Sequence, residues 1–349
     1  MLINNSQKTY TNTNLLKFNQ SSKQKSVNYS ALDKDIFISF KSAHSNNSRK
    51  PIEQLSNKFD NNIDILFPDI DGTIRDYDGV IPESARNALI SLQDNGIGIV
   101  IATGRTYEEG KKLYSDLKIK PNYMITQQGA ELVDSEGRII YQKKLDKEVA
   151  RSINQEVESY KQTYNSDVKM VIYVDGKPYS KDCFKLPYNW EKINTLDSFD
   201  SLLEEDKIPT KILLYEPDGD KSDSKKILHL INYMNKILPS NYKADRTAKH
   251  YCEITSPEAT KGCAVKALIQ LIGKDMKNVA AIGDSDNDLE MLKAVKNGSG
   301  LSISMGNALE NIKDIAEYET LPIEKDGFAY AMISIIKNNE KLSSKKQLV

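Results

Sequence analysis

The chain has 349 residues, which is enough for two domains of about 150 residues each. Its 48 Lys and Arg residues are scattered among 49 Asp and Glu residues, so the net charge of −1 favours neither nucleic acid nor a membrane surface as a partner. The three cysteines lack zinc-site spacing and no apolar run is long enough to span a bilayer, so we expect a cytoplasmic protein.

The first segment of the chain, residues 1–60, is rich in Asn, Ser, Lys and Gln. It contains few aliphatic side chains and therefore cannot bury enough apolar surface to fold by itself. We expect a disordered polar arm and assign no function to it.

The stretch IDILFPDIDGTIRD, residues 63–76, combines a buried strand with two carboxylates. Asp69 and Asp71 follow the apolar run, and the crevice at the carboxyl end of such a strand is where open α/β sheets bind ligands. Asp69 can attack phosphorus while Asp71 exchanges protons with the leaving group and with water. Gly72 allows the chain to turn. The alternative interpretation is an Asx-rich turn that only closes the strand.

Strands and helices alternate beyond this stretch. A β-branched strand is predicted over 97–103, ending in Thr103-Gly104-Arg105, and another strand is predicted over 123–132. This alternation predicts an α/β fold with a doubly wound parallel sheet, a Rossmann-like core formed by residues 61–131 and 256–340.

The pattern changes between the two core segments. Over 132–255, locally paired strands are predicted, including a hairpin at Asp175-Gly176, together with an amphipathic helix. We expect an inserted α+β cap domain that closes over the site and selects the substrate.

The core pattern resumes at Thr260-Lys261-Gly262, where Lys261 heads a helix. An apolar strand over 279–282 then leads to a second cluster of polar side chains: Asp284, Asp286, Asn287 and Asp288. Because parallel strands present their carboxyl ends at one sheet edge, both acidic clusters are expected to converge there.

The converging residues suit phosphoryl chemistry. Asp69, the backbone oxygen of Asp71 and Asp284 are expected to bind Mg²⁺, with Asp288 or Asn287 assisting through water. Oxygens of the phosphate are expected to be bound by Asp71, Gly72, Thr103, Gly104, Lys261 and Asn287. The alternative is structural: Thr103 ends a strand, Lys261 is a surface lysine, and Asp284 and Asp288 cap a helix.

The segments DIDGT, ATGR, TKG and GDSDNDLEML resemble the four motifs of the haloacid dehalogenase-like hydrolase superfamily. The long insertion resembles that of its Cof-like branch, the type IIB phosphatases with a C2 cap. The resemblance implies a Mg²⁺-dependent phosphoric monoester hydrolase that forms an aspartyl-phosphate on Asp69, with Asp71 as acid and base. By the same resemblance, Thr103 and Lys261 bind phosphate, Asp284 and Asp288 serve the metal, and the substrate is a small phosphorylated metabolite such as a sugar phosphate.

Two positions depart from the family pattern. Pro68 stands directly before the expected nucleophile, where its missing N–H shortens strand pairing. Gln128 begins Gln-Gly-Ala where the branch usually has Asn-Gly-Ala, close to the position where substrate is often bound.

Three other functions are possible for a core with these motifs. A P-type ATPase shares this core but has threonine where Asp71 stands, so Asp71 favours a phosphatase. A phosphomutase or phosphotransferase on the same core is the nearer alternative. A non-catalytic binding protein that retains the fold is the third. No sequence feature indicates an oligomeric state.

Overall fold

The computed structural model describes residues 50–182, 184–185, 192–217 and 225–347. Most of the predicted polar arm, residues 1–49, lies outside these ranges. Within the described ranges, no helix combines the length and the apolar character needed to span a membrane.

A nine-stranded sheet forms the core, in the order β1-β15-β14-β13-β2-β3-β4-β5-β6. Neighbouring strands from β1 through β4 are parallel, and β5 and β6 extend the sheet as antiparallel strands. The strands are β1 (Lys50–Pro51), β2 (Ile65–Pro68), β3 (Gly98–Ala102), β4 (Tyr123–Thr126), β5 (Glu131–Asp134), β6 (Ile139–Gln142), β13 (Val279–Gly283), β14 (Leu301–Ser304) and β15 (Tyr318–Glu319).

The central strands are buried along their whole length, as their near-continuous apolar sequences predict. They pack with apolar faces of helices in one hydrophobic core. The helices of this part are α1 (Leu55–Lys58), α2 (Glu83–Asp94), α3 (Tyr107–Leu117), α7 (Lys261–Leu271), α8 (Leu289–Asn297), α9 (Glu310–Ile315) and α10 (Gly327–Gln347).

Pro68 is the last residue of β2. Pairing of β2 with β13 extends to Pro68, whereas pairing with β3 stops at Leu66. Because proline has no backbone N–H, it cannot donate the next hydrogen bond to β3. The strand therefore ends directly before Asp69, as the sequence indicates.

A second sheet has six strands, in the order β11-β12-β10-β7-β8-β9, and its own apolar core. All pairs are antiparallel except β8 with β9, which is parallel. The strands are β7 (Lys169–Val174), β8 (Lys177–Ser180), β9 (Asn194–Thr195), β10 (Lys211–Tyr215), β11 (Ala244–Ala248) and β12 (Tyr251–Thr255), and the helices are α4 (Lys147–Tyr164), α5 (Phe199–Glu204) and α6 (Lys225–Ile237). The predicted fold class, a Rossmann-like parallel core with an inserted α+β part, is confirmed.

Two expected boundaries differ from the structure. Residues 50–58, which we assigned to the arm, form β1, a 3-10 turn and α1, and Ile52 and Leu55 are buried in the main core. In addition, β5 and β6 belong to the large sheet, although the cap was expected to begin at residue 132. The second sheet and its helices therefore lie within residues 143–255.

Candidate active site

The expected nucleophile lies at the switch point of the large sheet. Strands β2, β3 and β4 follow one another in one direction, whereas β13, β14 and β15 run outward in the other. Such a reversal leaves a crevice at the carboxyl ends of the two central strands. Asp69 follows β2 and Asp284 follows β13, so the topology brings both carboxylates to this crevice.

Three buried carboxylates meet there. Oxygens of Asp69, Asp284 and Asp288 all lie within 4.8 Å of one another. The amide of Asp69 donates to the carbonyl oxygen of Ile282 at 3.0 Å, which fixes the end of β2 against β13. Of the two predicted acidic clusters, Asp69 from the first and Asp284 and Asp288 from the second therefore meet in the structure.

Lys261 connects two members of this cluster. It is the first residue of α7, whose start is capped by the Thr260 side chain. Its Nζ donates to Asp69 Oδ1 at 2.5 Å and to Asp288 Oδ1 at 2.7 Å, and the side chain is fully buried. The alternative interpretation of Lys261 as a surface lysine is thus wrong.

The cluster has more negative than positive charge. Burial and the charge of Asp288 raise the pKa of Asp69 well above its usual range, against the opposing effect of Lys261. Burial, opposed by a hydrogen bond from Tyr77, raises the pKa of Asp284 to about 6. Burial lowers the pKa of Lys261, but Asp288 and Asp69 outweigh it and raise that pKa overall. One ammonium therefore does not compensate three carboxylates.

A divalent cation such as Mg²⁺ fits this donor set, because Mg²⁺ prefers carboxylate oxygens and supplies the missing positive charge. Asp69 and Asp284 are the best placed to hold it. Asp288 is already engaged through both oxygens: Oδ1 by Lys261, and Oδ2 by the amides of Asp284 at 3.1 Å and Ser285 at 3.2 Å. Its geometry suits support of Lys261 and the loop more than direct ligation.

The Asp71 side chain lies apart from the acidic cluster. Arg105 donates to both of its oxygens, from Nε at 3.0 Å and from Nη2 at 2.9 Å, and Arg75 Nη1 lies 3.5 Å from Oδ1. The carboxylate is thereby held at the cavity wall. A metal contact through the backbone oxygen of Asp71 stays a prediction.

Gly72 brings the backbone close to the cluster. Its φ of +88° lies in the region that favours glycine, and a Cβ there would lie 2.2 Å from Asp284 Oδ2. Its carbonyl oxygen accepts a hydrogen bond from Asn307 Nδ2 at 2.8 Å. The loop that follows Asp71 therefore requires glycine for two independent reasons.

The remaining phosphate-binding candidates line the same cavity. Thr103 is buried, and its Oγ1 accepts a hydrogen bond from the Arg105 amide at 3.2 Å. A Cβ on Gly104 would lie 2.3 Å from the Gln128 side-chain nitrogen, so glycine permits that close packing. Asn287 is exposed, and its Oδ1 accepts from Ser285 Oγ at 2.8 Å. Their roles with phosphate stay predictions.

Two contacts of the site, from Arg105 to Asp71 and from Tyr77 to Asp284, were not predicted from the sequence. Arg105 ends the quoted ATGR motif, so the motif could have drawn attention to it. Tyr77 donates a hydrogen bond from its hydroxyl to Asp284, but it stands in a short loop without any periodic signal.

Above these residues lies a cavity of about 420 Å³ between the two sheets. Its walls come from the large-sheet part and from the smaller sheet. The large-sheet part contributes Asp69, Asp71, Tyr77, Thr103, Gly104, Arg105, Glu109, Gln128, Asp284, Ser285 and Asn287, and the smaller sheet contributes Tyr173, Lys211, Leu213, Thr247, Tyr251 and Glu253.

Comparison with known proteins agrees with this geometry. The family model for haloacid dehalogenase-like hydrolases matches residues 66–332, which is more than half of the chain. Phosphatase YwpJ of Bacillus subtilis (strain 168) is 29% identical over 289 residues, covering 77% of this chain and 98% of that protein. The 5-amino-6-(5-phospho-D-ribitylamino)uracil phosphatase YcsE of the same organism is 26% identical over 273 residues, covering 78% and 96%.

Solved structures show the same fold. A haloacid dehalogenase-like hydrolase from Bacteroides thetaiotaomicron matches with a TM-score of 0.62 at 24% identity, covering 78% of this chain and 99% of that one. The HAD subclass IIB sugar phosphatase BT4131 matches with a TM-score of 0.57 at 23% identity, covering 77% and 97%. The predicted enzyme class, phosphoric monoester hydrolase, is confirmed by these relatives. The chain belongs to the haloacid dehalogenase-like hydrolases, in their Cof-like branch.

Proposed function

We propose that this enzyme is a Mg²⁺-dependent phosphatase that hydrolyses small phosphorylated metabolites through an aspartyl-phosphate on Asp69. The observation that carries the proposal is the convergence of Asp69, Asp284 and Lys261 below one cavity. A nucleophile, a metal-binding carboxylate and a buried cation are what in-line phosphoryl transfer requires.

In the first step, Asp69 attacks phosphorus and the bond from phosphorus to the leaving-group oxygen breaks. Asp71 donates a proton to that oxygen. In the second step, Asp71 accepts a proton from a water molecule that attacks the aspartyl-phosphate, which releases inorganic phosphate and restores Asp69. Asp69 and Asp284 would hold Mg²⁺, which would supply positive charge for the phosphoryl oxygens.

Lys261 keeps Asp69 in place and offers positive charge to the phosphoryl group. Thr103 and the backbone amide of Gly104 lie in the same walls and are suited to donate to the remaining oxygens. The amide of Gly72, which was also expected to bind phosphate, donates to the Arg75 carbonyl oxygen at 2.7 Å. Arg105 sets the direction of the Asp71 carboxylate by holding both of its oxygens.

The relatives guide the choice of substrate. Two Bacillus subtilis relatives, YcsE and YwtE, are named as phosphatases of a phosphoribitylamino-uracil. One structural neighbour is named a sugar phosphatase. We therefore propose a small phosphorylated metabolite, of the sugar-phosphate type, as the substrate, and a cytoplasmic location for the reaction.

Release of inorganic phosphate from p-nitrophenyl phosphate tests the proposal. We expect turnover with Mg²⁺, none with excess EDTA, and loss of turnover in Asp69→Asn. Asp64→Asn is the matched control, because Asp64 precedes the same strand at its opposite end and pairs there with Lys274 at 3.2 Å. Conversion of a phosphosugar into its isomer without phosphate release would instead indicate a phosphomutase, and complete inactivity with bound ligand would indicate a binding protein.

A further inference from the structure

The cavity contains a buried charge that the proposed chemistry does not use. Lys211 is the first residue of β10 in the smaller sheet, is 4% exposed, and lines the cavity together with Asp69 and Asp284. Burying a lysine is costly unless its charge is compensated, so its location calls for an explanation.

The neighbours of Lys211 compensate its charge but leave N–H donors of its ammonium unused. Its Nζ lies 3.4 Å from Glu253 Oε1 and 4.4 Å from the centre of the Tyr173 ring. Burial lowers the pKa of Lys211, but Glu253, Tyr173 and Glu109 together outweigh burial and raise that pKa, so the ammonium stays charged. An ammonium has three N–H donors. Within the described ranges, Glu253 is the one residue that accepts a hydrogen bond from it.

Strand register places this pair on the cavity side of the sheet. Lys211 lies opposite Tyr173 on β7, and Glu253 lies opposite Leu213 on β10. Residues directly opposite in antiparallel strands share a face. Tyr251 stands two residues before Glu253 and therefore shares that face as well. The same cavity that contains the catalytic carboxylates is thus lined by lysine donors, a glutamate acceptor and two tyrosine rings.

Away from the acidic cluster, the cavity wall carries more anionic than cationic side chains. The cations are Lys211 and Arg105, and the anions are Asp71, Glu109 and Glu253. Arg105 is committed to Asp71, and Lys211 is shared with Glu253. A second phosphate or a carboxylate on the substrate would therefore enter a region with an excess of negative charge, whereas uncharged hydroxyl groups can use both the donors and the acceptors.

We propose that Lys211 and Glu253 are specificity-determining residues that bind the organic part of the substrate. They select phosphomonoesters whose remaining part is uncharged and carries neighbouring hydroxyl groups, and they disfavour those with a second anionic group. The inference rests on the proposed phosphatase function. The competing interpretation is that the pair only stabilises the smaller sheet.

Three matched phosphates separate these interpretations: glucose 6-phosphate, 6-phosphogluconate and glucose 1,6-bisphosphate. We expect the wild type to have a kcat/KM for glucose 6-phosphate about tenfold or more above that for either analogue with a second anionic group. Lys211→Met should lower kcat/KM for glucose 6-phosphate about tenfold relative to kcat/KM for p-nitrophenyl phosphate. The change should come mainly from a higher KM for glucose 6-phosphate. Glu253→Gln should reduce the discrimination against the two analogues. Lys211→Arg should keep more of the preference for glucose 6-phosphate over p-nitrophenyl phosphate than Lys211→Met does.

Lys169→Met is the matched control. Lys169 lies on β7 of the same sheet, pairs with Asp167, and is absent from the residues lining the cavity. It should leave all the ratios unchanged. Thermal unfolding of each variant reports damage to the sheet, and a purely structural pair would lower the activity on every substrate equally.

Binding of the three phosphates to Asp69→Asn, with and without Lys211→Met, gives the same comparison without turnover. A preference for either analogue with a second anionic group, or no loss of glucose 6-phosphate affinity on Lys211→Met, would overturn the inference. Absence of p-nitrophenyl phosphate turnover in the wild type would instead contradict the phosphatase function, so the two failures are distinguishable.

Discussion

The hydroxyl of Tyr77 donates a hydrogen bond to the Asp284 carboxylate, although the tyrosine residue is 71% exposed and Asp284 is 2% exposed. Burial of the hydroxyl end and the hydrogen bond to Asp284 raise the pKa of Tyr77 to about 12, so the phenol is protonated at neutral pH and acts as the donor. The loop after the Asp69 motif is thereby attached to the carboxylate that is expected to bind the metal.

Tyr77→Phe should lower Mg²⁺ affinity about tenfold, because hydrogen bonds to a metal-binding carboxylate fix its orientation. Isothermal titration calorimetry with Mg²⁺ measures this directly. Tyr164→Phe, at an exposed tyrosine of α4 that does not line the cavity, is the control and should bind Mg²⁺ like the wild type. Equal affinities for all three proteins would show that Tyr77 does not position Asp284.

Gly72→Ala should lose both stability and metal binding. A positive φ costs a non-glycine residue about 1 kcal/mol, and the new Cβ would also press on Asp284. Gly96→Ala is a close control, because Gly96 has a φ of +75° but no atom within 4 Å of its Cβ position. In urea unfolding, we expect Gly96→Ala to lose about 1 kcal/mol of unfolding free energy and Gly72→Ala to lose more. Only Gly72→Ala should also lose Mg²⁺ affinity, and an equal loss in Gly96→Ala would contradict this explanation.

Arg105→Lys should lower kcat for p-nitrophenyl phosphate about tenfold, because lysine is a point charge that cannot hold both oxygens of Asp71. Initial rates at saturating substrate measure this. Arg86→Lys serves as control, since Arg86 Nε bonds the Asp116 carbonyl oxygen at 2.7 Å on the outside of the molecule. An unchanged kcat in Arg105→Lys would mean that Asp71 needs no such support.

Glu131 should make stability depend on pH. It is fully buried in β5, and burial raises its pKa above the ordinary value despite hydrogen bonds from Gln142 and the Gly176 amide. The pKa of Glu131 is higher in the folded state than in the unfolded state. Its contribution to folding stability is therefore fully present below the unfolded-state pKa and is lost as pH rises through the folded-state pKa. The unfolding free energy of Glu131→Gln should therefore improve relative to the wild type as pH rises, and a pH-independent difference would contradict this.

Much of the site was predictable because its residues stand directly after buried strands or at a helix start. Asp69, Asp284 and Lys261 each follow from a local pattern, and the parallel sheet then brings them together. The resemblance to the family motifs located the same residues.

Other features depend on long-range packing. The segment 50–58 is too short to show periodicity, and it is ordered by partners such as Glu317, which pairs with Lys50 at 2.9 Å. The hairpin of β5 and β6 resembles those of the smaller sheet in sequence, but β5 pairs with β4. Lys211 is visible in sequence only as a lysine at the start of a strand, and its role emerges from the register of three strands.

During turnover, Asp69 is expected to carry a phosphoryl group. In Asp71→Asn, hydrolysis of the aspartyl-phosphate to inorganic phosphate should slow about 100-fold or more, because general acid–base catalysis contributes at least that factor. Acid-quenched mass spectrometry of this variant, after reaction with p-nitrophenyl phosphate and Mg²⁺, should show one phosphoryl group on the peptide containing Asp69, and none in a variant that also carries Asp69→Asn. A phosphoryl group on a different residue, or full wild-type turnover in Asp69→Asn, would contradict the mechanism.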